Sequence, residues 1–248
     1  MFAGSGYIYK GMYLVGFALM MLYSIKKCKD HGITKKRAVT MTLFTYAAGV
    51  CGALIMGKIF TLVSRSLGFE QSSSVAIFGA VIFTPLFLLL GFIISEKLLM
   101  AVKPSDWKEN LDLLTPGIFI ILTCAKFGCI FEGCCMGIVC EGFAIYNPII
   151  DANVFPIQPF EVITMIIVLV LCSFLLKKKH IFPPGSAYSL TASVYSLTRF
   201  MWEFMRYYEG ESLRHLFLGL SMWQICCVIV IIVNIAVLIY LKRSKKAV

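Results

Sequence analysis

The stretch "LDLLTPGIFIILTCAKFGCIFEGCCMG" covers residues 111–137, and its two halves make opposite demands on their surroundings. Residues 113–124 are almost wholly apolar, as a helix crossing hydrocarbon has to be. Beyond them stand Lys126 and Glu132, glycines at 128, 133 and 137, and cysteines at 129, 134 and 135. A charge at the bilayer centre costs ~2.5–3.5 kcal/mol on insertion scales. The stretch therefore predicts a membrane helix whose end is built for chemistry.

The rest of the chain agrees with the apolar half. Of 248 residues, 59% are hydrophobic and 15% charged, and the mean hydropathy is +0.86, which describes an integral membrane protein. Its apolar runs are continuous rather than alternating, so the expected class is all-α. About seven transmembrane helices are expected, over 8–25, 40–63, 75–95, 112–131, 160–176, 185–205 and 222–241. The first run has no small-residue cleavage site and is expected to be retained.

A net charge of +10 invites a nucleic-acid reading, but the basic residues sit where a membrane protein keeps them. They crowd 26–37, Lys97, Lys103, Lys108, 177–179 and 242–246, whereas Phe127 to Leu176 contains no Lys or Arg. This alternation predicts an outside N-terminus, a cytoplasmic C-terminus, multi-pass insertion in the cell (plasma) membrane and no nucleic-acid partner. One transmembrane domain over 1–248 is expected, with an extracytoplasmic cap loop at about 132–160 whose three prolines and alternating apolar residues exceed a plain connection.

Charged residues at the outer ends of spans mark the expected site. In "SVYSLTRFMWEFMRYYEG" (193–210), Tyr195, Arg199, Glu203 and Arg206 recur at steps of four, four and three, on one helical face. Two arginines against one glutamate leave a positive surplus suited to a lipid phosphate, which a planar guanidinium grips with two donors. Lys126 adds a cation, Gly128 allows close approach, and Glu132 and Glu161 add acids at the same level. Lys58 also lies within a span, from which its long side chain can snorkel.

Cys124, Cys129, Cys134, Cys135 and Cys140 cluster on the expected oxidising side, where disulfides bracing the loop are anticipated. The absence of a C-x-x-C pair and of histidine argues against a metal, and no cofactor is expected. Cys28, Cys51, Cys172, Cys226 and Cys227 read as small apolar residues.

In this order, the motifs resemble the prolipoprotein diacylglyceryl transferase family. "KGMYLVGFALM" (10–20) is similar to its first helix and "LDLLTPGIF" (111–119) to the start of its fourth. "AKFGCIFEG" (125–133) is similar to its signature Gly-Arg-x-Gly-Asn-Phe-x-Asn-Gly, and "PIQPFE" (156–161) to Pro-Ser-Gln-Leu-Tyr-Glu. "YSLTRFMWEFMR" (195–206) follows Tyr-Gly-x-x-Arg-Phe-x-x-Glu-x-x-Arg, and "SMWQI" (221–225) the Thr-Met-Gly-Gln step before the last helix. The departures are Lys126 for the signature arginine, Cys129 and Glu132 for its asparagines, and Cys134 for the following glutamate. The family's histidine at the third span has no counterpart in 72–83.

The resemblance implies a transferase that moves a diacylglyceryl group from phosphatidylglycerol, or a similar anionic phospholipid, to an acceptor at the outer membrane face. Protein, glycan and lipid acceptors all fit. Lys126, Gly128, Tyr195, Arg199 and Arg206 are then expected at the lipid phosphate, and Glu132, Glu161, Arg199, Glu203, Cys134 and Cys135 in the chemistry. Two rivals are a membrane thiol oxidoreductase working through Cys124–Cys140 and a non-enzymatic anion or lipid carrier.

Overall fold

The computed structural model describes residues 6–66, 79–86, 90, 107–177, 182–208 and 219–246. Six long helices carry the architecture: α1 (Tyr7–Asp30), α2 (Lys35–Ser66), α3 (Trp107–Glu132), α4 (Ile157–Lys177), α5 (Ser186–Glu203) and α6 (Met222–Lys246). Residues 79–86 form a further helical stretch. The only sheet among the described residues is an antiparallel pair, β1 (Ile145–Asn147) with β2 (Ala152–Val154), in the register Ile145–Val154 and Asn147–Ala152. The class is all-α, as expected.

Among the described residues, five helices are long and apolar enough to cross a membrane: α1, α2, α3, α4 and α6. They contain the expected spans 8–25, 40–63, 112–131, 160–176 and 222–241. The expected span 75–95 is helical over 79–86, and most of it lies outside the described residues. The span placed at 185–205 is α5, which falls outside the membrane-crossing set. Its buried face carries Ser186, Ser189, Thr191 and Ser196 besides Tyr195 and Glu203, so its neighbours shield its polarity. Large apolar side chains such as Leu14, Leu62, Ile167, Val170 and Ile232 face outward, which suits a lipid solvent. This is a multi-pass membrane protein.

α3 lies at the centre. Of its most apolar window 78% is buried, against 17% for α1 and 22% for α6. Leu111, Ile118, Phe119 and Leu122 of α3 pack with Met20 of α1, Met165 and Val168 of α4, Tyr188 and Tyr195 of α5 and Cys227 of α6. Helix ends are set by local chemistry. Past α1, Gly32 takes the left-handed region (φ 70) and the Ile33 N–H returns to the Cys28 carbonyl at 2.8 Å. Gly133 (φ 68) reverses the chain after α3 in the same region.

The segment between α3 and α4 is stitched to the chain just beyond α5. Ile138 N–H donates to the Met205 carbonyl at 2.9 Å and Tyr207 N–H to the Met136 carbonyl at 3.0 Å. Gly137 sits where these strands meet, and a Cβ there would run into the carbonyl oxygen of Phe155. Phe155 and Phe160 stack at 5.3 Å, and Phe160 lies 5.6 Å from Trp202, tying the segment to α4 and α5.

Candidate functional site

Three helices deliver one buried charge cluster. Lys126 comes from α3, Glu161 from the first turns of α4, and Arg199 and Glu203 from α5, with Arg206 in the turn that follows. Glu161 is the hub and is 2% exposed. One carboxylate oxygen accepts from Lys126 Nζ at 2.6 Å; the other accepts from Arg206 Nη2 and lies 3.7 Å from Arg199 Nη1. Glu203 takes Arg199 Nη1 at 2.5 Å and Arg206 Nε at 3.4 Å, and its second oxygen accepts from the Ser221 hydroxyl at 3.3 Å. Trp202 Nε1–H donates to Thr164 Oγ1 at 3.0 Å, fixing how α5 is turned against α4.

Three cations meet two carboxylates, so the cluster keeps one positive charge in a place walled off from water. Arg199 Nη1 and Arg206 Nε are buried and close to carboxylates, yet lack the alignment of a hydrogen bond. Buried cations with donors to spare suit an anion bearing several oxygens. Tyr195, 3% exposed and one turn below Arg199, packs edge-on against Phe119 at 5.7 Å and floors the cluster.

Other expected residues are placed differently. Glu132 turns to the N-terminus of α1, where its oxygens accept the N–H groups of Gly6 and Ile8 at 3.0 Å and of Tyr9 at 3.4 Å. A carboxylate at a helix N-terminus meets unpaired donors and the positive end of the dipole. Gly128 serves helix packing, since a Cβ there would come within 3.0 Å of the Tyr9 Cα. Lys58 is exposed on α2.

The expected disulfide brace does not form: all ten cysteines are free thiols. Cys124 packs at Gly16 of α1, and the Cys140 thiol faces the Phe143 carbonyl at 3.8 Å. Only Cys129, Cys134 and Cys135 converge, their sulfurs all within 4.8 Å of one another. The Cys135 thiol is held well below the ordinary thiol range, first because the Cys129 and Cys134 thiols donate to it, then because Lys126 and Arg206 lend positive charge.

Sequence reasoning did not find Ser221 and Gln224 as supports. Gln224 Oε1 accepts from the Ser221 N–H at 2.9 Å, holding the hydroxyl that reaches Glu203. Their signal was the "SMWQI" segment, whose polar pair stands at the start of an apolar helix. His215 lies outside the described residues.

The sequence profile of the prolipoprotein diacylglyceryl transferases matches residues 5–240. The chain is 30% identical over 145 residues to the phosphatidylglycerol–prolipoprotein diacylglyceryl transferase of Dehalococcoides mccartyi, covering 55% of this chain and 52% of that one. It thus spans about half the length of the Dehalococcoides relatives it matches. It is 24% identical to the enzyme of the same name from Chlorobaculum tepidum, over 96% of this chain and 86% of the relative. The profile runs from before α1 into α6 and takes in every member of the charge cluster, and the chain belongs to the prolipoprotein diacylglyceryl transferase family.

Proposed function

We propose that the chain transfers a diacylglyceryl group from phosphatidylglycerol, or a similar anionic phospholipid, to the cysteine thiol of a prolipoprotein at the outer face of the plasma membrane. The observation that carries the reading is the buried surplus of cations: Lys126, Arg199 and Arg206 against Glu161 and Glu203. The names of the relatives supply the substrates.

In this reaction the acceptor sulfur attacks the terminal glyceryl carbon of the lipid. A C–S bond forms, the C–O bond to the phosphate breaks, the thiol proton passes to water or to the released phosphate, and the phosphate departs with its headgroup glycerol. Negative charge builds on the phosphate oxygens as that bond breaks, and donors already fixed around them lower the barrier without reorganising. Arg199 and Lys126 are assigned to those oxygens and Arg206 to the mouth of the site, with Glu203 and Glu161 holding the cations in place. Tyr195 lines the floor. Proton removal from the acceptor is assigned to neither Glu132 nor Glu161, because their oxygens already accept from α1 N–H groups and from cations.

The site end is assigned to the outside and the end bearing Lys27, His31 and Lys177 to the cytoplasm, following the positive-inside bias. Residues 1–248 are taken as one transmembrane domain, with 132–160 as its cap. Oxidoreduction through Cys124–Cys140 is the weaker reading, since Cys124 and Cys140 stand apart from the converging thiols. A carrier function would leave the lipid intact. Incubating the purified protein with glyceryl-labelled phosphatidylglycerol and a lipobox peptide, followed by mass spectrometry, should show labelled diacylglyceryl on the peptide cysteine and released glycerol phosphate. Lipid recovered unchanged would overturn the proposal.

A further inference from the structure

We propose that Cys129, Cys134 and Cys135 form a three-thiolate site for a single soft d10 cation. The three sulfurs lie within 4.8 Å of one another, although four residues part Cys129 from the vicinal pair. At a metal–sulfur distance of ~2.3 Å, three sulfurs in a trigonal plane stand about 4 Å apart, which fits that bound. No histidine or carboxylate shares the cluster among the described residues. The nearby carboxylates are spent elsewhere, Glu161 on cations and Glu132 on α1. Donors that are all sulfur select soft ions. Three without a fourth protein ligand favour monovalent copper, while zinc would complete its tetrahedron with water.

The backbone around the trio is shaped before any ion arrives. Gly133 at φ 68 turns the chain sharply after α3, and Cys135 holds φ 57, a region that non-glycine residues rarely occupy. The turn is pinned by Asn147 Nδ2 donating to the Gly133 carbonyl and Gln158 Nε2 to the Cys134 carbonyl, both at 2.9 Å. Cys129 is 1% exposed, Cys134 half-buried and Cys135 an exposed residue, which sets the trio at the edge of the fold against a closed back wall. The sequence expectation of no metal rested on the missing C-x-x-C pair and the missing histidine. The fold closes a C-x4-C-C spacing instead, through a left-handed residue that spacing alone does not show.

Bound metal would tie the turn at 133–137 to α3, and through the Ile138–Met205 and Tyr207–Met136 hydrogen bonds to the segment carrying Arg206. The inference does not rest on the lipid chemistry. The test is to load the full-length protein, in detergent under anaerobic reducing conditions, with copper(I) or zinc(II) alone and measure metal per chain after desalting. One ion per chain is expected. X-ray absorption should show three sulfurs around copper, or three sulfurs and one oxygen around zinc, a readout that needs no variant.

Cys129→Ser, Cys134→Ser and Cys135→Ser should each weaken binding by more than the ~10–100-fold that losing an outer-shell partner costs. Cys124→Ser and Cys140→Ser should bind as the parent does, and bound metal should protect the trio from maleimide while Cys140, outside the spans, still labels. Metal uptake no greater than that of the folded triple serine variant would overturn the inference. So would an absorption spectrum with fewer than three sulfurs, or a Cys129–Cys134 disulfide as the sole form in protein taken from its membrane.

Discussion

At the end of the bundle where Lys27, His31 and Lys177 border a cavity of about 500 Å³, the buried carboxylate Asp112 accepts the backbone N–H groups of Gly185 and Tyr188 at 2.7 and 2.8 Å. At the other end Glu161 and Glu203 form ion pairs with Lys126, Arg199 and Arg206. Both ends bury acids, and the partners separate the two uses. Backbone donors at the start of α5 have nowhere to go, so Asp112 completes a helix end, as Glu132 does for α1. Side-chain cations at the other end exceed the carboxylates that hold them, and the proposed function assigns the excess to a lipid phosphate.

The sharpest way to break this comparison is to remove Arg199. Arg199→Ala takes a cation from the proposed phosphate site and leaves Glu203 short of a partner; transfer should fall ~10²–10³-fold, the scale set by losing one preorganised donor. Arg199→Lys keeps the charge without the planar fork, and should lose more rate than lipid affinity, as single-turnover kinetics beside equilibrium binding would show. Equal losses for both variants would mean that the planar fork alone is read, and an undiminished Arg199→Lys that charge alone is.

Asp112→Ala should do the reverse. Two buried N–H groups lose their acceptor, at a cost of about 1–3 kcal/mol each if left unpaired, so the melting temperature in detergent should drop. Transfer per folded molecule should stay near that of the parent. A large loss of specific activity would join the two ends, against the comparison. Glu203→Gln should be milder than Arg199→Ala in the transfer assay, because the cations stay and the amide oxygen can still accept from the Ser221 hydroxyl.

Lys126→Arg should have the smallest effect. It restores the residue that the family signature carries and keeps a donor for Glu161. Activity close to the parent's, measured beside a Lys126→Ala variant that loses both charge and donor, would sharpen the role of this position. A collapse in the arginine variant would mean that the site is sized for the narrower ammonium.

Most of the fold was legible because hydrocarbon leaves long helices few alternatives: the five apolar runs fall within α1, α2, α3, α4 and α6. α5 was legible as a helix through its Tyr195–Arg199–Glu203 spacing, but its serines and threonines remove it from the membrane-crossing set. Arg199 and Glu203 could be paired from sequence because they are one turn apart. Glu161 could not be identified as the hub, since its partners lie 35 and 45 residues away. Glu132 showed as an acid at a span end, and only the fold reveals that the start of α1, 124 residues away at Ile8, claims it. The cysteine cluster was visible as composition; which three meet depends on the left-handed turn at Gly133 and Cys135.

Native mass spectrometry of delipidated protein titrated with phosphatidylglycerol, beside phosphatidylethanolamine as the headgroup without net charge, tests the central claim most directly. The parent chain and Asp112→Asn should retain phosphatidylglycerol in preference to phosphatidylethanolamine, and folded Arg199→Ala should lose that preference. If Arg199→Ala still selects phosphatidylglycerol as the parent does, the buried cations serve only to join helices, and the reading of a phosphate site at the outer end is wrong.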